Sequence, residues 1–85
     1  MKLTIKYFAS IRETLAVAQE IVEVDAGQIK IHGLRERLIA RGPRVADVLD
    51  FSRAVRVAVN HEMVGDTFVL RQDSEVAFFP PVTGG

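Results

Sequence analysis

The segment from residue 78 to residue 85, Phe-Phe-Pro-Pro-Val-Thr-Gly-Gly, restricts the possible folds more than any other stretch. Proline fixes φ at about −65° and cannot donate to a sheet ladder, so the chain must leave the sheet after Phe79. The five residues after Pro80 can reach roughly 16 Å, at about 3.3 Å each. Glycine at positions 84 and 85 would let the terminal carbonyl carbon enter a narrow channel and approach a nucleotide phosphate or a nucleophile. A disordered glycine tail is the alternative.

Three segments carry a resemblance to a known family. Residues 75–85, Glu-Val-Ala-Phe-Phe-Pro-Pro-Val-Thr-Gly-Gly, closely resemble the carboxyl terminus of the small, sulfur-carrier subunit of molybdopterin synthase, one of the ubiquitin-like β-grasp sulfur carriers. Residues 8–13, Phe-Ala-Ser-Ile-Arg-Glu, resemble the segment after the family's first strand, and residues 58–60 resemble the start of its carboxyl-terminal half. The likeness covers most of the chain and is loosest over residues 26–53.

The resemblance implies a mechanism centred on Gly85. Family members are adenylated at this position by an ATP-using enzyme of the ubiquitin-activating type, and sulfur from a sulfur-donating enzyme then displaces AMP to leave a thiocarboxylate. That sulfur passes to a pterin precursor, precursor Z, to form the dithiolene of molybdopterin in molybdenum cofactor biosynthesis. The resemblance therefore implies no intrinsic cofactor, with ATP used by the activating enzyme and AMP or sulfur held covalently on Gly85.

The resemblance also implies partners and two groups of site residues. It implies a heterotetramer of two small and two large synthase subunits, with most catalytic groups on the large subunit, so it leaves open whether this chain is itself an enzyme. The tail group reacts or contacts the partner's channel, and it comprises Gly85, Gly84, Thr83, Val82 and Pro81. The interface group is expected to bind the partner, and it comprises Phe79, Phe8, Arg12 and Ala77.

Composition agrees with one small folded domain. The 85 residues are 48% hydrophobic, and we expect a domain at residues 1–80 and a flexible tail at residues 81–85. The absence of cysteine excludes disulfides and a thiolate nucleophile, so any sulfur must come from elsewhere. Eleven basic and eleven acidic residues balance, which removes the electrostatic case for nucleic acid. No apolar run approaches the roughly 20 residues of a membrane span, and we expect a cytoplasmic protein.

Hydrophobic periodicity predicts an α+β fold with the element order ββαβββ. Alternating apolar residues indicate strands at residues 3–7, 20–24, 55–59, 68–70 and 75–79. Helical spacing of Ile31, Leu34 and Leu38, ended by Gly42-Pro43, predicts one main helix, followed by a short helical turn at residues 45–49. The first two strands are expected to form a hairpin with a long loop. A helix between them and the later strands requires a mixed five-stranded sheet covered on one face, as in the β-grasp fold.

Side-chain alternation divides this sheet into two faces. The face expected to pack on the helix carries Leu3, Ile5, Tyr7, Val55, Val57, Val59, Val76 and Phe78. The opposite face carries Thr4, Lys6, Phe8, Arg56, Ala58, Ala77 and Phe79. Two phenylalanines on a largely polar face are typical of a partner surface, particularly if parallel first and last strands bring them together. The alternative is that one or both rings are tucked under a loop.

Motifs for other chemistry have little support. His61-Glu62 begins a zinc-protease pattern, but position 65 is glycine where the second histidine should be. His32 has no evident partner for a metal site. The glycines form no phosphate loop before a helix, and the serines belong to no recognisable triad.

Three alternatives to a molybdopterin synthase subunit remain open. A sulfur carrier for thiazole synthesis would share the fold and the diglycine end but resembles the Phe-Phe-Pro-Pro-Val-Thr stalk poorly. A ubiquitin-like modifier would form isopeptide bonds with lysines of other proteins. An interaction module that binds nucleic acid through the basic residues 35–44 would not need the terminus.

Overall fold

The computed structural model describes residues 1–81, which form seven strands and three helices. The strands are β1 (Lys2–Tyr7), β2 (Gln19–Glu23), β3 (Ile29–Lys30), β4 (Arg56–Val59), β5 (Glu62–Val64), β6 (Val69–Leu70) and β7 (Ser74–Phe79). The helices are α1 (Ala9–Leu15), α2 (Ile31–Ile39) and α3 (Pro43–Leu49). Within this described range, each helix is too short and too polar to cross a membrane.

The main sheet has five strands in the order β2-β1-β7-β4-β5. β1 and β7 are parallel neighbours, with Ile5 opposite Val76 and Tyr7 opposite Phe78. The remaining neighbours in this sheet are antiparallel. The predicted α+β fold with a mixed five-stranded sheet of the β-grasp type is confirmed, as is the parallel pairing of its first and last strands.

One face of the main sheet packs on the helices and forms the hydrophobic core. The sheet contributes alternate residues of β1, β4 and β7, because side chains along a strand alternate between its faces. The buried members of the core are Leu3, Ile5, Tyr7, Ile11, Val24, Ile31, Leu34, Leu38, Leu49, Val57, Val59, Leu70, Val76 and Phe78. The predicted inner face is confirmed, except that Val55 precedes β4 and is only partly buried.

The connection between β1 and β2 is a helix, where the sequence predicted a long loop. α1 follows Phe8 and ends before Ala16, whose φ of 59° is left-handed. Ile11 is buried in the core and Leu15 is partly buried against it, so an apolar pair four residues apart anchors the helix. The prediction was wrong because two apolar positions within seven residues form too short a pattern to distinguish a helix from a loop.

The second half of the sheet also differs from the prediction. β5 was not predicted, yet it pairs with β4 and forms one edge of the main sheet. The strand predicted at residues 68–70 exists as β6, but it pairs with β3 in a separate two-stranded sheet. Asn60 and His61 form the turn between β4 and β5 with φ values of 49° and 72°. This hairpin lacks the Asn-Gly or Asp-Gly pair that usually signals such a turn.

Glycine and proline delimit the main helix as the sequence predicted. In the first turn of α2, a Cβ at Gly33 would lie 3.3 Å from Cγ1 of Ile29, a tight contact that glycine avoids. Gly42 has a φ of 156°, a conformation that favours glycine, and Pro43 occupies the first turn of α3. The predicted end of α2 and the following helical turn are therefore confirmed.

Candidate functional site

Four strands of the main sheet place a row of side chains on the face away from the helices. The strand registers set Lys6 opposite Ala77, Ala77 opposite Ala58, and Ala58 opposite Met63. Side chains paired in this way lie on the same face of a sheet. The alternate residues of these strands fill the core, so the row faces outward. Its two alanines leave a low floor in the middle.

Phe8 and Phe79 border this low floor. Phe8 directly follows β1, and its backbone N–H donates to the carbonyl oxygen of Phe78 at 3.2 Å, which ties the end of β1 to β7. Phe79 is the last residue of β7. Both rings line one open depression of about 520 Å³, which we call the sheet-face depression. Its lining residues are Lys6, Phe8, Ala58, His61, Met63, Glu75, Ala77 and Phe79.

The sheet-face depression exposes large apolar side chains to water. Phe8 is 43% exposed and Met63 is 55% exposed, whereas Ala77 on the floor is 8% exposed. Contiguous apolar surface of this kind marks sites of protein association. The structure thus brings together Phe8, Ala77 and Phe79, which the sequence assigned to one interface, and Phe8 is not tucked under a loop. Their role at an interface stays a prediction.

One side of the depression is charged. Nζ of Lys6 lies 3.0 Å from Oε1 of Glu75, and Nε2 of His61 lies 3.8 Å from Oε2 of the same carboxylate. The backbone N–H of Glu75 donates to Oδ1 of Asn60 at 3.0 Å, and the N–H of Asn60 donates to the carbonyl oxygen of Glu75 at 2.9 Å. These two bonds with Asn60 hold the backbone of Glu75 beside the apolar floor.

Arg12 lies on α1 rather than in the loop where the sequence placed it. Its side chain is exposed, and its backbone N–H donates to the carbonyl oxygen of Phe8 at 3.4 Å. The described residues that line the sheet-face depression do not include Arg12. Its assignment to the partner interface therefore stays a prediction, now for a helical residue one turn beyond Phe8.

Comparison with known proteins assigns the chain to a family. The family model described as the ThiS family matches residues 5–85, nearly the whole chain. The chain belongs to the ThiS family. The molybdopterin synthase sulfur carrier subunit of Escherichia coli (strain K12) is 36% identical over 83 residues, which cover 98% of this chain and 99% of that protein. The resemblance based on three sequence segments is confirmed.

Solved structures confirm the ubiquitin-like β-grasp fold of this ThiS-family chain. SAMP1 from Haloferax volcanii has a TM-score of 0.79 at 24% identity, with both chains covered completely. A chain in the protein-protein complex of subunits 1 and 2 of the molybdopterin-converting factor from Helicobacter pylori has a TM-score of 0.68 at 16% identity, again with complete coverage. At these identities the likeness shows the fold alone.

The base of the tail lies beside α1 and α3 in this ThiS-family chain. Pro80 lines a second depression together with Arg53 and Asp47, whose side chains pair at 3.0 Å. Pro81, the first expected tail contact, is partly buried. The other residues of the tail group, Val82, Thr83, Gly84 and Gly85, lie outside the described residues. Their assigned roles stay predictions.

Two arginines of the basic segment at residues 35–44 are engaged within the protein. Arg35 is 4% exposed and donates to the backbone carbonyl oxygens of Leu49 and Asp50. Arg41 forms an ion pair with Glu20 of β2. Arg35 is therefore too buried to contact nucleic acid, and the charge of Arg41 is already paired with that of Glu20.

The histidines give no sign of a metal centre in the described part of the chain. Residues 1–81 contain no group of three or more histidine, aspartate or glutamate side chains placed to hold a metal ion. Nε2 of His32 lies 3.5 Å from Oε1 of Glu36, and the imidazole stacks on Phe51 at a centroid distance of 4.1 Å.

Sequence reasoning missed two side chains of the sheet-face depression as site residues. Met63 was missed because β5 was not predicted. Glu75 was treated only as the start of the last strand, although its alternation with Ala77 and Phe79 places all three on the same face. That alternation was the available signal. His61 was read as a turn residue, and the structure shows that the turn brings it to the edge of the depression.

Proposed function

We propose that this protein is the sulfur carrier subunit of a molybdopterin synthase. The observation that carries the proposal is its 36% identity, over 98% of its length, to the Escherichia coli protein of that name. The sheet-face depression supports it, because a subunit that works only with a partner needs a surface for that partner. The diglycine end supports it through its chemistry.

The proposed chemistry takes place on the carboxylate of Gly85. A carboxylate is a poor electrophile, so one of its oxygens first bonds to the α-phosphate of ATP in an activating enzyme, and pyrophosphate leaves. Sulfur from a donor enzyme then bonds to the acyl carbon and AMP leaves, so that one carboxylate oxygen is replaced by sulfur. The resulting thiocarboxylate is a strong nucleophile attached to a protein-sized handle. It would transfer sulfur to a pterin precursor, precursor Z, for the molybdopterin dithiolene.

The proposed principal partner is the large synthase subunit, in an assembly of two small and two large subunits. The Helicobacter pylori relative is described in a complex of two subunits of the molybdopterin-converting factor. We propose that the large subunit covers the sheet-face depression, with Phe8 and Phe79 as anchors. β7 carries Ala77 and Phe79 and continues into Pro80, so a protein seated on the depression would also fix the origin of the tail.

In the proposed complex, docking of the domain would restrict the thiocarboxylate of Gly85 to the region of the partner's active site, which would favour sulfur transfer. The chain from Pro81 to Gly85 can reach roughly 16 Å at about 3.3 Å per residue, which allows entry into a partner's active site. Docking of the folded domain makes delivery of the sulfur effectively intramolecular, and such pre-positioning lowers the barrier of a bimolecular step. Most catalytic side chains would then belong to the large subunit.

Intact-mass measurement tests the proposal. The chain is incubated with ATP, the activating enzyme and a sulfur donor, and replacement of oxygen by sulfur should raise its mass by about 16 Da. An unchanged mass would contradict the carrier mechanism. Attachment to lysines of other proteins would instead support a modifier, a class that the fold alone does not separate from carriers because the small archaeal modifier protein 1 of Haloferax volcanii shares it. A thiolated chain that fails to bind the large synthase subunit would favour a carrier for thiazole synthesis.

A further inference from the structure

The carboxylate of Glu75 makes one close ion pair with the protein around it. Its Oε1 lies 3.0 Å from Nζ of Lys6. Its Oε2 lies 3.8 Å from Nε2 of His61, beyond hydrogen-bond distance, on a side chain that is 85% exposed. The side chain of Glu75 is 24% exposed, so its carboxylate is in contact with water in the free chain.

Covering the sheet-face depression would remove this water. Glu75 lines the same depression as the exposed rings of Phe8 and Phe79, so a protein that buries those rings also covers the carboxylate. A desolvated carboxylate is unfavourable unless its remaining lone pairs are hydrogen-bonded, and the closest contact of Lys6 is with Oε1. A wholly apolar partner surface would leave Oε2 unpaired and would bind poorly.

We infer that Glu75 accepts a hydrogen bond from a basic side chain, an arginine or a lysine, of the protein that docks on the sheet-face depression. This inference rests on the proposed docking of the large synthase subunit there. Lys6 holds one oxygen of the carboxylate, and Oε2 offers a charged acceptor beside the apolar floor. Charge-assisted bonds of this kind are directional and select a partner by its orientation. The complementary surface is therefore an apolar ridge with an adjacent cation.

The first experiment compares two isosteric substitutions. Glu75→Gln keeps the shape of the side chain and removes its charge, and Glu23→Gln is the matched control. Glu23 lies on β2 opposite Lys2, is exposed, and is not among the described residues that line the depression. With the large subunit as ligand, Glu75→Gln should raise Kd at least tenfold and should reduce its dependence on ionic strength. Glu23→Gln should change Kd less than twofold.

The second experiment exchanges the two charges of the Lys6–Glu75 ion pair in a double variant, Lys6→Glu with Glu75→Lys. The reversed pair keeps the attraction between β1 and β7. If the only role of the Lys6–Glu75 pair is to join these strands, the double variant should bind the large subunit as tightly as the parent does. If Glu75 receives a partner's cation, the reversed pair should bind at least tenfold more weakly, because like charges then meet. Thermal melting checks folding. If the reversed pair does not fold, Glu75→Gln alone decides.

A third variant separates this inference from the proposed docking. Normal binding by Glu75→Gln or by a folded reversed pair overturns the role of Glu75. If Phe79→Ala then still weakens binding, the large subunit docks on the depression without using the carboxylate. If Phe79→Ala also binds normally, docking on this face is wrong as well.

Discussion

Arg35 and Leu49 are joined through buried atoms, since Nε and Nη2 of Arg35 donate to the carbonyl oxygen of Leu49 at 3.2 and 2.7 Å. Nη2 also donates to the carbonyl oxygen of Asp50 at 3.1 Å, and the guanidinium carbon lies 4.5 Å from the ring centroid of Phe51. Leu49 ends α3, and the last carbonyl groups of a helix have no partner within it. Arg35 of α2 supplies the missing donors and connects the two helices.

Arg35→Met should lower the free energy of unfolding by roughly 2 kcal/mol, because it removes the charged donors from the buried carbonyl group of Leu49, whereas the carbonyl of Asp50 keeps the backbone N–H of Arg53. Urea denaturation followed by circular dichroism measures the loss. Arg37→Met is the matched control on the exposed side of the same helix and should stay within about 0.5 kcal/mol of the parent. Equal effects of the two substitutions would show that the buried contacts of Arg35 contribute nothing specific.

The parts of the fold that depend on local pattern could be predicted from the sequence. Alternation in β1 and β7 identified both faces of the sheet, because a period of two residues follows from strand geometry alone. Arg35 shows the limit of this reasoning. Within a run of arginines its charge indicates exposure, and only the position of Leu49 in space reveals its partner. α1 and β5 were missed because their apolar patterns are too short.

Some residues of the candidate site could likewise be predicted from the sequence, and others could not. Phe8, Ala77 and Phe79 could be grouped from alternation and the expected parallel pairing, which needs no detailed register. Glu75 shares this alternation, but its contact with Lys6 depends on how β1 and β7 pair, and Met63 could not be assigned because its place depends on how β5 pairs with β4. The expected chemistry of Gly85 came from resemblance and not from geometry.

Tyr7 makes the free energy of unfolding depend on pH in the alkaline range. Its hydroxyl donates to Oε2 of Glu20 at 2.8 Å, and burial, with this hydrogen bond as the second cause, raises the pKa of Tyr7 well above its usual value. The folded protein therefore holds the phenol proton more tightly than the unfolded chain does. The stabilisation is complete below the usual pKa of about 10 and is lost progressively as pH rises above it.

Tyr7→Phe should therefore flatten the loss of stability above about pH 10. It should also cost about 1 kcal/mol at neutral pH, because the hydrogen bond to Glu20 is lost. Tyr7 is the single tyrosine of the sequence, so tyrosinate absorbance reports its ionisation directly. If Tyr7 ionises at the same pH in the folded protein and in urea, the proposed linkage is absent.

Phe79→Ala should weaken binding of the large synthase subunit about thirtyfold, the usual effect of losing a buried aromatic anchor worth about 2 kcal/mol. Isothermal titration calorimetry measures the affinity. Ile21→Ala is the control, because Ile21 is 67% exposed on β2 of the same sheet and is not among the described residues lining the depression. Unfolding of the Phe79→Ala domain, with unchanged binding per folded molecule, would instead place Phe79 in the core.

Arg12→Ala should weaken adenylation or binding of the large subunit about threefold to fivefold, since Arg12 is an exposed cation one helical turn beyond Phe8. Adenylation is measured by pyrophosphate release and binding by calorimetry. Arg37→Ala, an exposed arginine on α2, serves as the control. If the adenylation rate and the affinity of Arg12→Ala for the large subunit both stay within twofold of the parent values, Arg12 is an ordinary solvated arginine.

The carboxyl terminus gives the most direct prediction of the proposed function. One residue added after Gly85 would move the carboxylate by roughly 3.5 Å, and a misplacement of about 1 Å can already cost a hundredfold in rate. Deleting Gly85 would withdraw the carboxylate by a similar distance. Gly84→Ala would add a methyl group inside the partner's channel. Each of these variants should lose the ability to gain sulfur.

The rate at which intact mass rises by about 16 Da in the activating system measures this loss. All three variants should keep a free energy of unfolding within about 0.5 kcal/mol of the parent, because they leave the core unchanged. Gly27→Ala is the control and should react normally, since no described atom outside its chain neighbours lies within 4 Å of the added Cβ. An extended chain that gains sulfur at the parent rate, without prior cleavage, would refute the carrier mechanism and favour an interaction module.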